Sequence, residues 1–102
     1  MHVISKPAID EAARNFPNAA GWLYAWLKVA KKERWGSLQE VRKTYQSTDQ
    51  YRCCLIFDVR GNNYRLICRV TYADEHQNGT LFIKGVFTHA EYDKDTWKGN
   101  CA

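Results

Sequence analysis

"CCLIFDVRGNNYRLICRVTY", residues 53–72, contains two strand-like runs separated by the turn signal "RGNN". Gly-Asn sequences of this kind favour a tight β-hairpin. A two-residue turn at Gly61 and Asn62 would fix the register of the two strands, because each residue then faces one partner. The predicted cross-strand pairs are Val59 with Tyr64, Phe57 with Leu66 and Leu55 with Cys68.

This register gives the hairpin one apolar face and one charged face. The apolar face comprises Leu55, Phe57, Val59, Tyr64, Leu66, Cys68, Val70 and Tyr72. The other face carries Asp58, Arg65 and Arg69, with Arg65 directly across from Asp58. Because side chains alternate with a period of two, both arginines stay aligned on the open face of the sheet. Spacing alone leaves two interpretations, a surface ladder of charge pairs or a binding site for an anion.

The segments around the hairpin predict a single α+β domain over residues 1–102. Apolar side chains recur at helical spacing through residues 19–34, which predicts a helix that packs on the sheet. In chain order, the predicted elements are a strand in "HVIS", helices at 7–16 and 19–34, a helical turn at 37–44, the hairpin strands, a strand at 80–87 and a final helix. The expected architecture is a small, mainly antiparallel sheet with two N-terminal helices on one face and a short C-terminal helix.

The segment "FTHAEYDKDTW", residues 87–97, places groups able to transfer protons directly after the strand predicted at 80–87. Thr88 and Glu91 match the S/T-x-x-E capping box that begins a helix. His89 and Tyr92 are three residues apart, so they should lie along one side of the first turn. The segment therefore predicts a capped helix that carries a candidate site.

Basic residues are concentrated in the middle of the chain. Between Lys28 and Arg69, ten basic residues stand against four acidic ones, whereas acidic residues lead from Asp74 onward. A positive region of this kind suits a polyanion such as nucleic acid. An ordinary solvated surface is the alternative.

The four cysteines, Cys53, Cys54, Cys68 and Cys101, lack the C-x-x-C spacing of a metal or redox site. We interpret them as reduced thiols, with Cys68 buried and Cys101 loose on the tail. The N-terminal stretch lacks the apolar segment that a signal peptide requires. No apolar run in the sequence reaches membrane-spanning length. The protein is therefore expected in the cytoplasm, without a membrane partner.

The charged groups in and after the strands suit cleavage of RNA without a metal or a cofactor. The ribose supplies its own 2′-hydroxyl nucleophile, so the protein needs a base, an acid and cations for the charge that develops on the phosphate oxygens. Arg65 and Lys84 are the candidate cations, and His89 can serve as acid or base. Tyr92 either stacks on a nucleobase or acts as a base if neighbouring cations lower its pKa.

Three segments resemble the HigB family of type II toxin–antitoxin toxins, within the RelE superfamily: "MHVIS" with the proline-started helix, "FDVRGNNYRLICRV" and "IKGVFTHAEYDK". The resemblance implies a compact RelE-like fold and a ribosome-dependent endoribonuclease, an mRNA interferase that cuts mRNA in the 30S A site. It also implies inhibition by a cognate HigA-like helix-turn-helix antitoxin. In the family pattern, Arg65, Lys84, His89 and Tyr92 are the catalytic candidates, and Lys94 is a candidate RNA contact.

Further RNA contacts are expected to hold ribosomal RNA by its phosphates, without reading sequence. These candidates are Arg69, Lys28, Lys31, Lys32, Lys43 and Arg52. Two other functions stay open at this point. One is a non-catalytic RNA- or ribosome-binding module, whose binding would depend strongly on salt. The other is an interaction protein in which "THAEYDK" is only a capped helix.

Overall fold

The computed structural model describes residues 1–60 and 63–101, which form a mixed five-stranded sheet. The strands are β1 (His2–Ile4), β2 (Asp49–Tyr51), β3 (Cys54–Val59), β4 (Tyr64–Thr71) and β5 (Thr80–Thr88). Their order in the sheet is β1-β5-β4-β3-β2. β1 pairs with β5 in parallel, and the other pairings are antiparallel. The predicted small, mainly antiparallel sheet is confirmed.

The hairpin of β3 and β4 has the predicted register. The observed pairs include Val59 with Tyr64, Phe57 with Leu66 and Leu55 with Cys68. The predicted turn residues, Gly61 and Asn62, lie outside the described residues. The sequence does not predict β2, because its three residues, DQY, are too few to show an alternating pattern.

Four α-helices surround the sheet in the described part of the chain. They are α1 (Lys6–Asn15), α2 (Ala20–Lys32), α3 (Leu38–Thr44) and α4 (His89–Asp93), with 3₁₀ turns at Pro17–Ala19 and Thr96–Asn100. The two N-terminal helices and the short C-terminal helix are confirmed, and the helical turn expected at 37–44 is α3. Within the described residues, we find no helix with the length and apolarity needed to cross a membrane.

The main hydrophobic core lies between one face of the sheet and helices α1 to α3. Trp26 of α2 and Phe57 of β3 are fully buried, and their rings meet edge to face with centroids 5.4 Å apart. The apolar face predicted for the hairpin lies in this core, with Tyr64 and Tyr72 partly buried at its margin. Because burial of large aromatic and aliphatic side chains is the dominant favourable term in folding, this core fixes the sheet on which the charged residues stand.

The C-terminal segment, residues 89–101, crosses the other face of the sheet. It contributes Trp97 and Cys101 to a second cluster of buried residues. Their partners in the sheet are Cys54, Ile56 and Ile67. The prediction that this whole face is open is therefore wrong, because the chain folds back over its centre. Arg69 and Phe82 remain exposed beside the covered part.

The prediction of four reduced thiols is also wrong. Cys54 and Cys101 form a disulfide, with Cα atoms 5.4 Å apart and a separation of 47 positions in the chain. Cys101 is fully buried rather than loose, because the segment that carries it packs against β3. Cys53 and Cys68 remain thiols. Cys68 is buried as predicted, and desolvation by burial raises the pKa of its thiol.

Candidate functional site

Arg65 is held on β4 by the residue that faces it across the hairpin. Its Nε lies 3.1 Å from Oδ1 of Asp58, and the exposed fractions of the two side chains are 13% and 27%. The predicted pairing of these residues is confirmed. A planar guanidinium that donates to a carboxylate has a fixed orientation, so Asp58 orients the charge of Arg65.

The aromatic ring of Tyr92 lies close to both Arg65 and Trp97. The guanidinium carbon of Arg65 is 5.4 Å from the centroid of the Tyr92 ring. The Tyr92 and Trp97 rings stack with centroids 5.2 Å apart and an interplanar angle of 10°. Trp97 Nε1 also donates a hydrogen bond of 3.0 Å to the carbonyl oxygen of Tyr92. Both the ring and the backbone of Tyr92 are therefore fixed by Trp97.

The pKa of the Tyr92 phenol is raised above its ordinary value. Desolvation by burial is the main cause, and the neighbouring charge of Arg65 opposes it without cancelling it. A lowered pKa was the condition for Tyr92 to act as a base, so this role is not supported. Stacking on a nucleobase, the other role that the sequence allows, stays a prediction, because the ring is partly exposed but Trp97 already stacks on it.

The predicted capping box fixes the start of α4. The backbone nitrogen of Glu91 donates to Thr88 Oγ1 at 3.3 Å, and the backbone nitrogen of Thr88 donates to Glu91 Oε1 at 3.0 Å. His89 is the first residue of this helix and is exposed. Because residues three apart lie on one side of a helix, His89 is presented on the same side as Tyr92.

Lys84 occupies an irregular position in β5. Ile67 of β4 pairs with Gly85, whereas the next residue, Cys68, pairs with Ile83, so Lys84 is the extra residue of a β-bulge. Its Nζ lies 5.4 Å from the centroid of the Phe82 ring. A bulge redirects the side chain that it carries, which explains how a lysine is accommodated in an otherwise apolar strand.

Lys84 also lines a cleft of about 290 Å³ between α1 and β5. The cleft is bounded by Ala8, Glu11, Ala12, Asn15, Phe16, Lys84, Gly85, Val86, Phe87 and Glu91. Glu11 and Glu91 make the wall around the lysine acidic. The cleft beside the Lys84 ammonium group therefore carries both positive and negative charges and is not uniformly basic.

Only part of the predicted set of RNA contacts lies on the same face as Arg65. Arg69 is exposed on β4, where Phe82 of β5 is its cross-strand partner. Arg52 follows β2 and lies with its guanidinium carbon 5.6 Å from the Tyr51 ring centroid. Lys94 is exposed at the end of α4. By their positions in the chain, these residues lie on the sheet face that carries Arg65, at different distances from it.

The other predicted contacts are carried by the helices on the opposite side of the sheet. Lys28, Lys31 and Lys32 are exposed on α2, and Lys43 is exposed on α3. Both helices bury their apolar residues in the main core. These four lysines therefore lie on the helical side of the sheet, away from the face that carries Arg65.

Sequence reasoning missed Trp97 and Lys98. Lys98 Nζ lies 5.0 Å from the ring centroid of Tyr51 and 5.7 Å from that of Trp97, and it pairs with Asp95 at 3.3 Å. A large apolar side chain in the polar tail was the available signal for Trp97.

The candidate catalytic residues lie in a region that matches a known protein family. The family model described as HigB_toxin, RelE-like toxic component of a toxin-antitoxin system, matches residues 19–95. The chain belongs to the HigB toxin family. The HigB match includes Arg65, Lys84, His89 and Tyr92, whereas Trp97 and Cys101 lie beyond it. The resemblance inferred from the sequence is confirmed.

Two curated relatives extend the HigB match along the chain. The mRNA interferase HigB of Escherichia coli O6:H1 is 34% identical over 99 residues, which are 94% of this chain and 92% of the relative. The mRNA interferase toxin HigB of Escherichia coli K12 is 26% identical over 96 residues, 91% of this chain and 88% of the relative. The α+β sheet and helices agree with the RelE-like fold expected of a HigB toxin.

Proposed function

We propose that this chain is an mRNA interferase, a ribosome-dependent endoribonuclease that cleaves translated mRNA and so inhibits translation and growth. The observation that supports this most directly is the arrangement around Arg65. The guanidinium is oriented by Asp58, lies against the Tyr92 ring and shares its sheet face with the start of α4, which carries His89. The relatives that match most of the chain are named mRNA interferases.

The proposed reaction uses the ribose of the mRNA as the source of the nucleophile, without a metal ion. The 2′-oxygen bonds to phosphorus as the bond from phosphorus to the 5′-oxygen breaks, leaving a cyclic phosphate and a 5′-hydroxyl. Arg65 and Lys84 stabilise the negative charge that develops on the phosphate oxygens. His89 takes the proton of the 2′-hydroxyl or supplies one to the leaving 5′-oxygen.

The basic surfaces outside the site suit ribosomal RNA. Arg69, Arg52 and Lys94 lie on the face that carries Arg65, and the lysines of α2 and α3 provide a second surface. Phosphate contacts of this kind position a protein without sequence recognition. In this proposal the toxin enters the A site of the 30S subunit in the cytoplasm. A cognate HigA-like helix-turn-helix antitoxin holds it inactive.

The function can be tested by primer-extension mapping of cellular mRNA after brief induction of the chain. We expect new 5′ ends within translated regions and their disappearance when translation initiation is blocked. Growth arrest without new ends would contradict cleavage and favour a non-catalytic ribosome-binding module. Cuts that persist without initiation would contradict ribosome dependence.

Replacement of Tyr92 separates the stacking role from a role as base. Tyr92→Phe keeps the ring and should retain cleavage near the wild-type rate, because the raised pKa keeps the phenol protonated at neutral pH. Tyr92→Ala removes the ring that lies against the Arg65 guanidinium and that would stack on a base, and we expect roughly tenfold slower cleavage. Cleavage rates on purified translating ribosomes distinguish the variants. A Phe variant as defective as the Ala variant would show that the hydroxyl is required.

A further inference from the structure

Phe82 is an exposed aromatic residue in the interior of a strand. Its side chain is 45% exposed, whereas its neighbours Leu81 and Ile83 are buried, with exposed fractions of 0% and 6%. Among the large hydrophobic side chains that the structure describes, only Tyr24 is exposed to a similar degree. The exposed position of Tyr24 has a partner, because its hydroxyl donates a hydrogen bond to Asp10. Phe82 has no polar group, and burial in the core does not explain an aromatic ring at this position.

Two cations flank the exposed ring. Arg69 is the cross-strand partner of Phe82, so the two side chains project from the same face of the sheet. Lys84 Nζ lies 5.4 Å from the centroid of the Phe82 ring. A flat apolar ring between positive charges is complementary to a nucleotide, because the base stacks on the ring while the phosphates meet the cations.

The distance of Phe82, Arg69 and Lys84 from Arg65 indicates which nucleotide these three residues would bind. Arg69 lies four residues from Arg65 on one face of β4, a separation of about 13 Å at the strand rise. Lys84 lies between Phe82 and Phe87, and Phe87 is the cross-strand partner of Arg65. The ring is therefore too far from Arg65 for the base at the scissile phosphate, and it suits a neighbouring nucleotide.

We propose that Phe82, Arg69 and Lys84 form a nucleotide subsite that stacks an mRNA base next to the cleavage site. The proposal rests on the proposed function, since it assigns a further contact with the same substrate. The subsite adds affinity for single-stranded RNA through base stacking, which tolerates different bases because every base has an aromatic face.

Substitution of Phe82 by residues with and without an aromatic ring provides the test. Cleavage of a defined mRNA is measured on purified ribosomes stalled with an empty A site, at limiting toxin. Phe82→Leu keeps an apolar side chain and should lower kcat/KM about tenfold, whereas Phe82→Trp should retain the wild-type value. Tyr24→Leu is the matched control, because Tyr24 is the other exposed aromatic residue in the described part of the chain, and the kcat/KM of this variant should not change.

A second set of substrates locates the stacked base. Each mRNA carries one abasic nucleotide at a different position beside the cut. For the wild type, one abasic position should lower kcat/KM about as much as Phe82→Leu does, and the same position should have no further effect in the Phe82→Leu protein. Equal losses in both proteins at every position would overturn the subsite.

The outcomes distinguish this proposal from the proposed function. If wild type cleaves and Phe82→Leu cleaves equally fast, the subsite is wrong while the function stands. If Phe82→Leu cleaves normally but binds the antitoxin more weakly, the exposed ring is a protein-binding surface and the subsite is again overturned. If the wild type produces no cuts in the presence of ribosomes, both proposals fail.

Discussion

Replacing Arg65 with alanine is expected to slow mRNA cleavage by about two to three orders of magnitude, the usual effect of removing one preorganised donor to a developing negative charge. The guanidinium is already oriented by Asp58 and by the Tyr92 ring, so little reorganisation is required when the phosphate charge develops. The measurement is the single-turnover rate of cutting on purified translating ribosomes, with the wild type and the variant at equal, saturating concentrations.

Two further variants separate the role of Arg65 from general effects of charge and folding. Arg65→Lys keeps the positive charge but cannot reproduce the planar contact with Asp58, so we expect an intermediate rate. Arg14→Ala removes a positive charge from the exposed end of α1 and should cut at the wild-type rate. Thermal unfolding shows whether Arg65→Ala remains folded. A folded Arg65→Ala protein that cuts as fast as the wild type would exclude Arg65 from catalysis.

The sequence predicted the part of the fold that depends on local patterns. The hairpin register followed from a turn signal and from strict alternation of apolar residues, so Asp58 could be placed opposite Arg65. The bulge at Lys84 was not predicted, although the glycine that follows it, Gly85, is the kind of residue that marks a bulge inside a strand. Its position emerges only from the pairing of β5 with β4.

The parts of the site that depend on distant segments were missed. Trp97 supports Tyr92 because residues 89–101 fold back across β3 and β4, a contact between segments far apart in the chain. The lysines of α2 were grouped with Arg65 because both lie in the same basic region of the sequence. The helix instead packs on the opposite sheet face, since its apolar stripe faces the main core. Charge density along a chain does not specify which face of a sheet receives the charge.

The disulfide between Cys54 and Cys101 is expected to contribute about 4 kcal/mol to the free energy of unfolding of the purified, oxidised protein. The estimate comes from the loss of chain entropy when a loop of this length is closed in the unfolded state. The two cysteines are 47 residues apart, so the closed loop includes β4, β5 and the site residues on them. Urea unfolding with and without a dithiol reductant measures the contribution.

The number of cysteine thiols before and after reduction provides an independent check on the disulfide. Two equivalents of reductant thiol convert the disulfide into two cysteine thiols and leave the reductant as its own disulfide. Thiol titration of the denatured protein should therefore rise from two groups, Cys53 and Cys68, to four after reduction. Cys53→Ala is the matched control, because it removes the neighbouring thiol and leaves the disulfide intact. This variant should lose as much stability on reduction as the wild type does.

The disulfide also fixes the segment that carries Trp97, whose ring and indole nitrogen position Tyr92. Most cytosolic thiols are kept reduced, so activity needs to be measured in both states. We expect the reduced protein to cut more slowly than the oxidised protein, and Cys101→Ala to cut slowly in either state, because both changes release the support beneath Tyr92. Four titratable thiols in the oxidised protein would refute the disulfide. Equal cutting rates in both states would show that burial of Trp97 holds Tyr92 without it.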